Sequence, residues 1–157
     1  MLDFIAWYLI ITLVGVLALP AAYRLLPNLA DRGYILARAL GMLLWGFIFW
    51  LLTSLNILQN DLGGVILALI LMAVASFWLG RGWRGWGEIL KSLRGQLRLV
   101  VFTEVLFLAA FAFLAVTRAA YPDISGTEKP MEMAFINSIL RSPNFPPDDP
   151  WLSGFAI

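Results

Sequence analysis

The chain has 157 residues, of which 61% are hydrophobic and only 13% charged, with a net charge of +1 and a mean hydropathy of +0.84. Soluble domains are about 45–50% apolar and about 25% charged, and one of this length has no interior large enough for so much apolar surface, whereas a bilayer accepts it. Disorder is excluded by the same composition, disulfide and thiolate chemistry by zero Cys, and imidazole chemistry by zero His, while 11 basic against 10 acidic residues leave no excess for nucleic acid.

Four stretches suit a hydrocarbon layer roughly 30 Å thick, which takes about 20 helical residues. The first covers about 4–23 and meets no charge until Arg24. Ala18, Ala21 and Ala22 near its end give it the look of a signal peptide, but it opens on Asp3 with no Lys or Arg, so a retained span is expected. The second covers about 35–55, with Trp45 and Trp50, and the third about 62–79. The next stretch, about 83–98, is different in kind. It follows the run Arg81 to Gly87 (RGWRGWG), and Trp86, Ile89, Leu90, Leu93 and Leu97 recur at helical spacing while Glu88, Lys91, Arg94 and Arg98 fall largely elsewhere. Such a helix is expected in the interface plane with Trp83 and Trp86 at headgroup depth. Its plain role is a connector; a lipid-headgroup or partner site is the functional alternative.

The fourth span covers about 99–117 and carries Glu104. A carboxylate at mid-membrane costs on the order of 2–3 kcal/mol, so Glu104 is expected to face protein or water and to pair with Arg98 or an arginine from elsewhere. Orientation follows from basic residues. Arg24, Arg32, Arg38, Arg81, Arg84, Lys91, Arg94 and Arg98 lie on one side, against Arg118, Lys129 and Arg141 on the other. The positive-inside rule makes the first side cytoplasmic, and it places the N-terminus, the 56–61 loop and the chain after 117 outside a cell membrane crossed several times.

Residues 118–157 hold six of the eight prolines and half of the acidic residues. Pro130 suits a first helical position, and Pro143 ends the helix, giving a helix over about 130–141 with a broad apolar face. An earlier start at Ser125, three residues before Glu128, fits a capping box. Glu128 then follows a Gly126–Thr127 turn at or just before a helix N-terminus, where a carboxylate complements the dipole by roughly 0.3–1 kcal/mol or serves as a general base or metal ligand. Glu132 lies one turn on. Pro146, Pro147 and Pro150 stiffen the chain around Asp148 and Asp149, which form either a solvated acidic turn or a hard-cation site. The expected fold is all-α: a polytopic membrane protein of four transmembrane helices, an interfacial amphipathic helix and an outer-loop helix. Residues 1–118 form the membrane region, and 119–157 begin an extracytoplasmic loop.

The run GTEKPMEMAFINSILRSPNFPPDDPWLSG, 126–154, resembles the signature of the YYY-motif family of large membrane proteins from archaea and Chloroflexus-type bacteria. That family is grouped by similarity with GT-C glycosyltransferases, polytopic enzymes that use lipid-phosphate-linked sugars. GT-C proteins carry an essential acidic residue in the first large outer loop, close after one transmembrane helix and before a membrane-lying helix. The resemblance implies Glu128 as catalytic carboxylate with Glu132 in support. It implies Asp148 and Asp149 as ligands on the side of a divalent metal (Mg²⁺ or Mn²⁺) or donor phosphate, with Lys129 and Arg141 as the outer cations. Two features depart from the pattern. Glu128 is followed by Lys129 where GT-C loops carry Asp or an Asp/Glu pair, and the tri-tyrosine motif would begin just past residues 151–154. The resemblance therefore implies an N-terminal piece of a larger protein, inactive alone. Its partners would be the bilayer, a lipid-phosphate sugar donor and the remainder of the polypeptide or a split partner. The competing expectation is a non-enzymatic membrane scaffold or assembly module.

Overall fold

Helices in lipid gain nothing by hiding apolar side chains from solvent, so close approach of their backbones decides how they pack. Three segments of this chain carry small residues at the spacing such approach requires. In α3 (Leu62–Leu79) the buried residues Gly64, Ala68, Met72 and Ser76 recur every fourth position. In α1 (Leu2–Leu25) the buried face includes Gly15, Ala18 and Ala22, and in α2 (Ala37–Ser54) Ala37 and Gly41. Gly41 is irreplaceable by size: a Cβ there would lie 2.7 Å from the Val14 carbonyl oxygen and 2.9 Å from Ala18 Cβ. These three helices pack on one another as a trio, with α2 running opposite to α1 and α3. Val14, Ala18 and Met72 form its centre, and Trp45 closes the α2–α3 seam by donating Nε1–H to the Val65 carbonyl at 2.9 Å.

The computed structural model describes residues 2–123, 128–152 and 154–156. Besides the trio it contains α4 (Gly82–Gly95), α5 (Leu97–Ala120) and α6 (Lys129–Arg141). Helices α1, α2, α3 and α5 are each long and apolar enough to cross a membrane. The protein is an all-α, polytopic membrane protein. The Ser125 and Gly126–Thr127 turn features of the sequence lie outside the described residues.

Helix directions alternate, so the molecule has two chemically different ends. At the basic end, Pro20 sits inside α1, and the amide of Ala21 just beyond it donates to Ser76 Oγ of α3 at 3.1 Å. Arg81 (φ 68°) and Gly82 (φ 60°) then turn the chain sharply out of the α3 axis. This sends α4 across the bundle end, where Ile89, 1% exposed, packs with Leu19, Ala22 and Ala37. The α4 stripe is thus divided. Gly85 and Ile89 face protein, while Trp83, 83% exposed, and Leu90 face outward.

At the other end, Asp61 caps α3 by accepting from the Gly64 amide at 2.7 Å, and the 55–61 loop meets the C-terminal end of α6. Asn60 Nδ2 donates to the carbonyls of Ile139 and Ser142, and its amide donates to Pro143 at 2.7 Å. Helix α5 stands apart in character. Thr103 is the one buried residue among its positions, and it leans on α1 through Phe4–Phe111 at 5.0 Å and Tyr8–Phe107 at 5.7 Å between ring centroids.

Candidate functional site

Polar chemistry gathers at two places. The first is partly buried near the basic end and is built from the 26–36 loop. Asp31 accepts the amides of Gly33 (3.3 Å) and Ile35 (2.7 Å), and Gly33 takes φ 85°. This tight turn delivers Tyr34 and the first turn of α2 to the side of α5. There Glu104 accepts from three donors. Arg38 Nη2 reaches Oε2 at 2.6 Å, Arg38 Nη1 reaches Oε1 at 3.0 Å, and the Tyr34 hydroxyl donates to Oε1 at 2.6 Å. The two-pronged guanidinium–carboxylate geometry is the strong form of the pair. The Arg38 guanidinium also lies 4.2 Å from the Phe107 ring centroid. Side-chain exposure is 13% for Arg38 and 31% for Glu104, so water screens the pair weakly. Burial first, and then donation to Glu104, push the Tyr34 phenol above its ordinary pKa, so it remains a donor.

Glu104 therefore has its partner, and it is Arg38 rather than Arg98. Six residues on one helix turn through 600°, which leaves Arg98 about 120° around α5 from Glu104. Beside the pair lies a cavity of about 80 Å³ lined by Thr12, Gly15 and Leu19 as well as Arg38 and Glu104. Among the described residues Thr12 Oγ1 and Arg38 Nε have no protein partner, and the space is large enough to admit water.

The second place is the platform formed by α6 and the residues that follow it. Glu128 directly precedes α6, is exposed, and among the described residues its side chain makes no capping hydrogen bond. Glu132 is exposed one turn later, its amide bonded to the Glu128 carbonyl at 3.0 Å. Lys129 turns back, with Nζ donating to the Asp123 carbonyl at 2.8 Å. At the far end of α6 a groove of about 360 Å³ is lined by Asn137, Ser138, Arg141, Asp148 and Asp149. Ser138 Oγ donates to the Asp148 carbonyl, and the Asp148 amide donates to Ser142 Oγ at 3.2 Å. Asp149 Oδ1 accepts the amides of Trp151 (2.8 Å) and Leu152 (3.0 Å), and Trp151 packs edge-on against Phe135 at 5.2 Å.

The six residues singled out in this platform thus fall into two groups. Glu128, Lys129 and Glu132 stand at the start of α6, while Arg141, Asp148 and Asp149 share the groove at its end. Thirteen residues at 1.5 Å each separate Glu128 from Arg141 by about 20 Å. Among the described residues no three His, Asp or Glu side chains converge as a metal-ligand group. With Asp149 Oδ1 already engaged, the Asp148–Asp149 pair fits a Mg²⁺ or Mn²⁺ only where phosphate oxygens and water complete the shell.

Residues 44–157 match the family model described as "Uncharacterized membrane protein (DUF2298)". The chain belongs to that family. The DUF2298 match takes in most of α2, all of α3 to α6 and the residues after α6, including Glu104, but leaves out Tyr34 and Arg38. No curated protein and no solved structure matches the chain.

Proposed function

We propose that this chain supplies the front part of a membrane glycosyl-transfer site of the GT-C kind, working outside the cytoplasm on a lipid-phosphate-linked sugar. The observation that carries the reading is the placement of Glu128. Among the described residues its carboxylate caps no amide of α6, and α6 behind it is tied down at its far end by Asn60. The resemblance of residues 126–154 to the YYY-motif signature adds the chemistry. As the acceptor oxygen bonds to the sugar's anomeric carbon and the bond to the lipid phosphate breaks, Glu128 takes the acceptor proton. A positioned base of this sort contributes typically 10²–10⁴-fold. Glu132 supports it electrostatically, and Lys129 supplies local positive charge. The Arg141–Asp148–Asp149 groove, about 20 Å away, is a second position where a divalent ion would offset phosphate charge, not part of the same contact.

In this reading residues 1–118 are the membrane region, residues 119–157 open the outer loop, and the basic end is cytoplasmic. Further polypeptide completes the donor site. The test is sugar transfer by the complete membrane enzyme carrying Glu128→Gln. A loss of about 100-fold or more with unchanged membrane insertion supports the proposal, and full activity overturns it. A second reading, an assembly module without catalysis, is favoured by the exposed Met131 and Ile136 of α6 and Phe102 and Phe113 of α5. It requires that Met131→Ser with Ile136→Ser abolish complex formation while Glu128→Gln leaves it intact.

A further inference from the structure

At the basic end a groove of about 240 Å³ opens between the last turn of α1, the 26–36 loop and the start of α4. Arg24, Arg32 and Arg81 line it together with Tyr23 and Glu88, and an adjoining recess adds Lys91. The groove is shaped by the fold. Gly80 approaches Pro20 so closely that a Cβ at position 80 would collide with the proline ring. Arg81 is held at φ 68°, the left-handed conformation that non-glycine residues seldom adopt. Arg32 is laid on the Tyr23 ring, 4.9 Å from its centroid, with Nη1 donating to the Tyr23 hydroxyl at 2.8 Å.

Three arginines face one space, yet among the described residues the only ion pair is Arg38–Glu104. Glu88 lies in the same groove without closing on any of them. Guanidinium groups brought together without carboxylate partners favour an oxyanion that can accept several donors at once. The neighbouring α3–α4 turn carries the exposed Trp78 and the Phe77–Trp83 edge-on pair at 5.3 Å, aromatic groups suited to the headgroup level of a bilayer.

We propose that this groove binds a phosphate-bearing anion, namely the phosphodiester headgroup of an anionic lipid. It lies at the opposite end of the bundle from the Glu128 platform and does not depend on the transfer reading. It also gives the RGWRGWG run a role beyond connection: the run turns Arg81 toward Arg24 and Arg32 and presents aromatics to the lipid.

The test reconstitutes the chain in phosphatidylcholine nanodiscs with a rising fraction of phosphatidylglycerol and reads retained lipid by native mass spectrometry. Phosphatidylglycerol is expected to be retained over phosphatidylcholine. Retention should fall roughly fivefold for each of Arg24→Gln, Arg32→Gln and Arg81→Gln. Arg94→Gln, outside the groove, should leave it unchanged. Glu88→Gln should raise it, a gain that misfolding cannot produce. A parallel arm measures thermal stabilisation by inorganic phosphate in detergent. Stabilisation there, lost in the same arginine variants and without preference between the two lipids, keeps the anion site and makes its source soluble phosphate. Equal retention of both lipids with no response to phosphate overturns the proposal, as does undiminished phosphatidylglycerol retention in the triple arginine variant.

Discussion

In α1, α2 and α3 the backbones themselves meet, through Gly15, Ala18, Gly41, Ala68 and Ser76, whereas α5 reaches the same bundle through long side chains: Glu104, Phe107 and Phe111. The contrast teaches where cohesion resides in lipid. Close backbone contact is spread over many positions and tolerates no added atom, while a helix held by a few side chains can be released by changing one of them. Helix α5 also keeps most of its apolar surface outward, with Phe102, Val105, Leu106, Phe113 and Leu114 exposed. The trio is a finished interface. Helix α5 is fastened on one side and open to lipid or to further helices on the other.

The largest expected effect comes from filling the trio. Gly41→Val places carbon against the Val14 carbonyl and Ala18, and it should cost about 3 kcal/mol in mixed-micelle unfolding, against under about 0.5 kcal/mol for Phe113→Leu on the open face of α5. A small loss at Gly41 would erase the distinction. Next is Glu104→Gln, which strands the Arg38 charge and should cost about 2 kcal/mol, less than for a fully buried pair because the Glu104 side chain is 31% exposed. Removing both charges in Arg38→Met with Glu104→Gln should cost less than the single change, because no uncompensated ion remains; additive losses would contradict the pairing. Tyr34→Phe removes one hydrogen bond to a charged acceptor and should cost about 1.5 kcal/mol, leaving the Arg38–Glu104 fork in place. The smallest effect is local. Asn60→Ala deletes two side-chain bonds to α6 and its following turn. It should speed amide exchange at 139–149 with little change in global stability.

Run length and hydropathy made the all-α membrane architecture readable, because crossing a bilayer leaves so few alternatives. Glu104 announced by its position alone that it needed a partner, but the partner's identity depended on which helix neighbours α5. Arg38 is 66 positions away, and nothing local pointed to it. Tyr34 was harder still, because its role rests on the Asp31–Gly33 turn that aims it. The four-residue beat Gly64, Ala68, Met72, Ser76 was present in the letters, yet hydropathy, which ranks a span by its average, passes over it. The amphipathic pattern of α4 could not say which apolar residues meet protein and which meet lipid. Only the approach allowed by Gly85 decides that Ile89 goes inward. For the α6 platform, Pro130 and Pro143 marked the helix, but the span of about 20 Å between Glu128 and the Arg141–Asp148–Asp149 groove follows from the helix running unbroken between them.

Glycosyl transfer at Glu128 and lipid binding at the basic groove both require the two ends of the bundle to face opposite sides of a membrane, with the basic groove in the cytoplasm and the carboxylate platform outside. The chain has no cysteine, so single-cysteine variants at exposed Arg84 and Asn144 can be probed in intact cells with an impermeant maleimide without background. The account predicts that Asn144→Cys is labelled at once and Arg84→Cys only after the membrane is opened. Labelling of both from one side, or the reverse order, would contradict it.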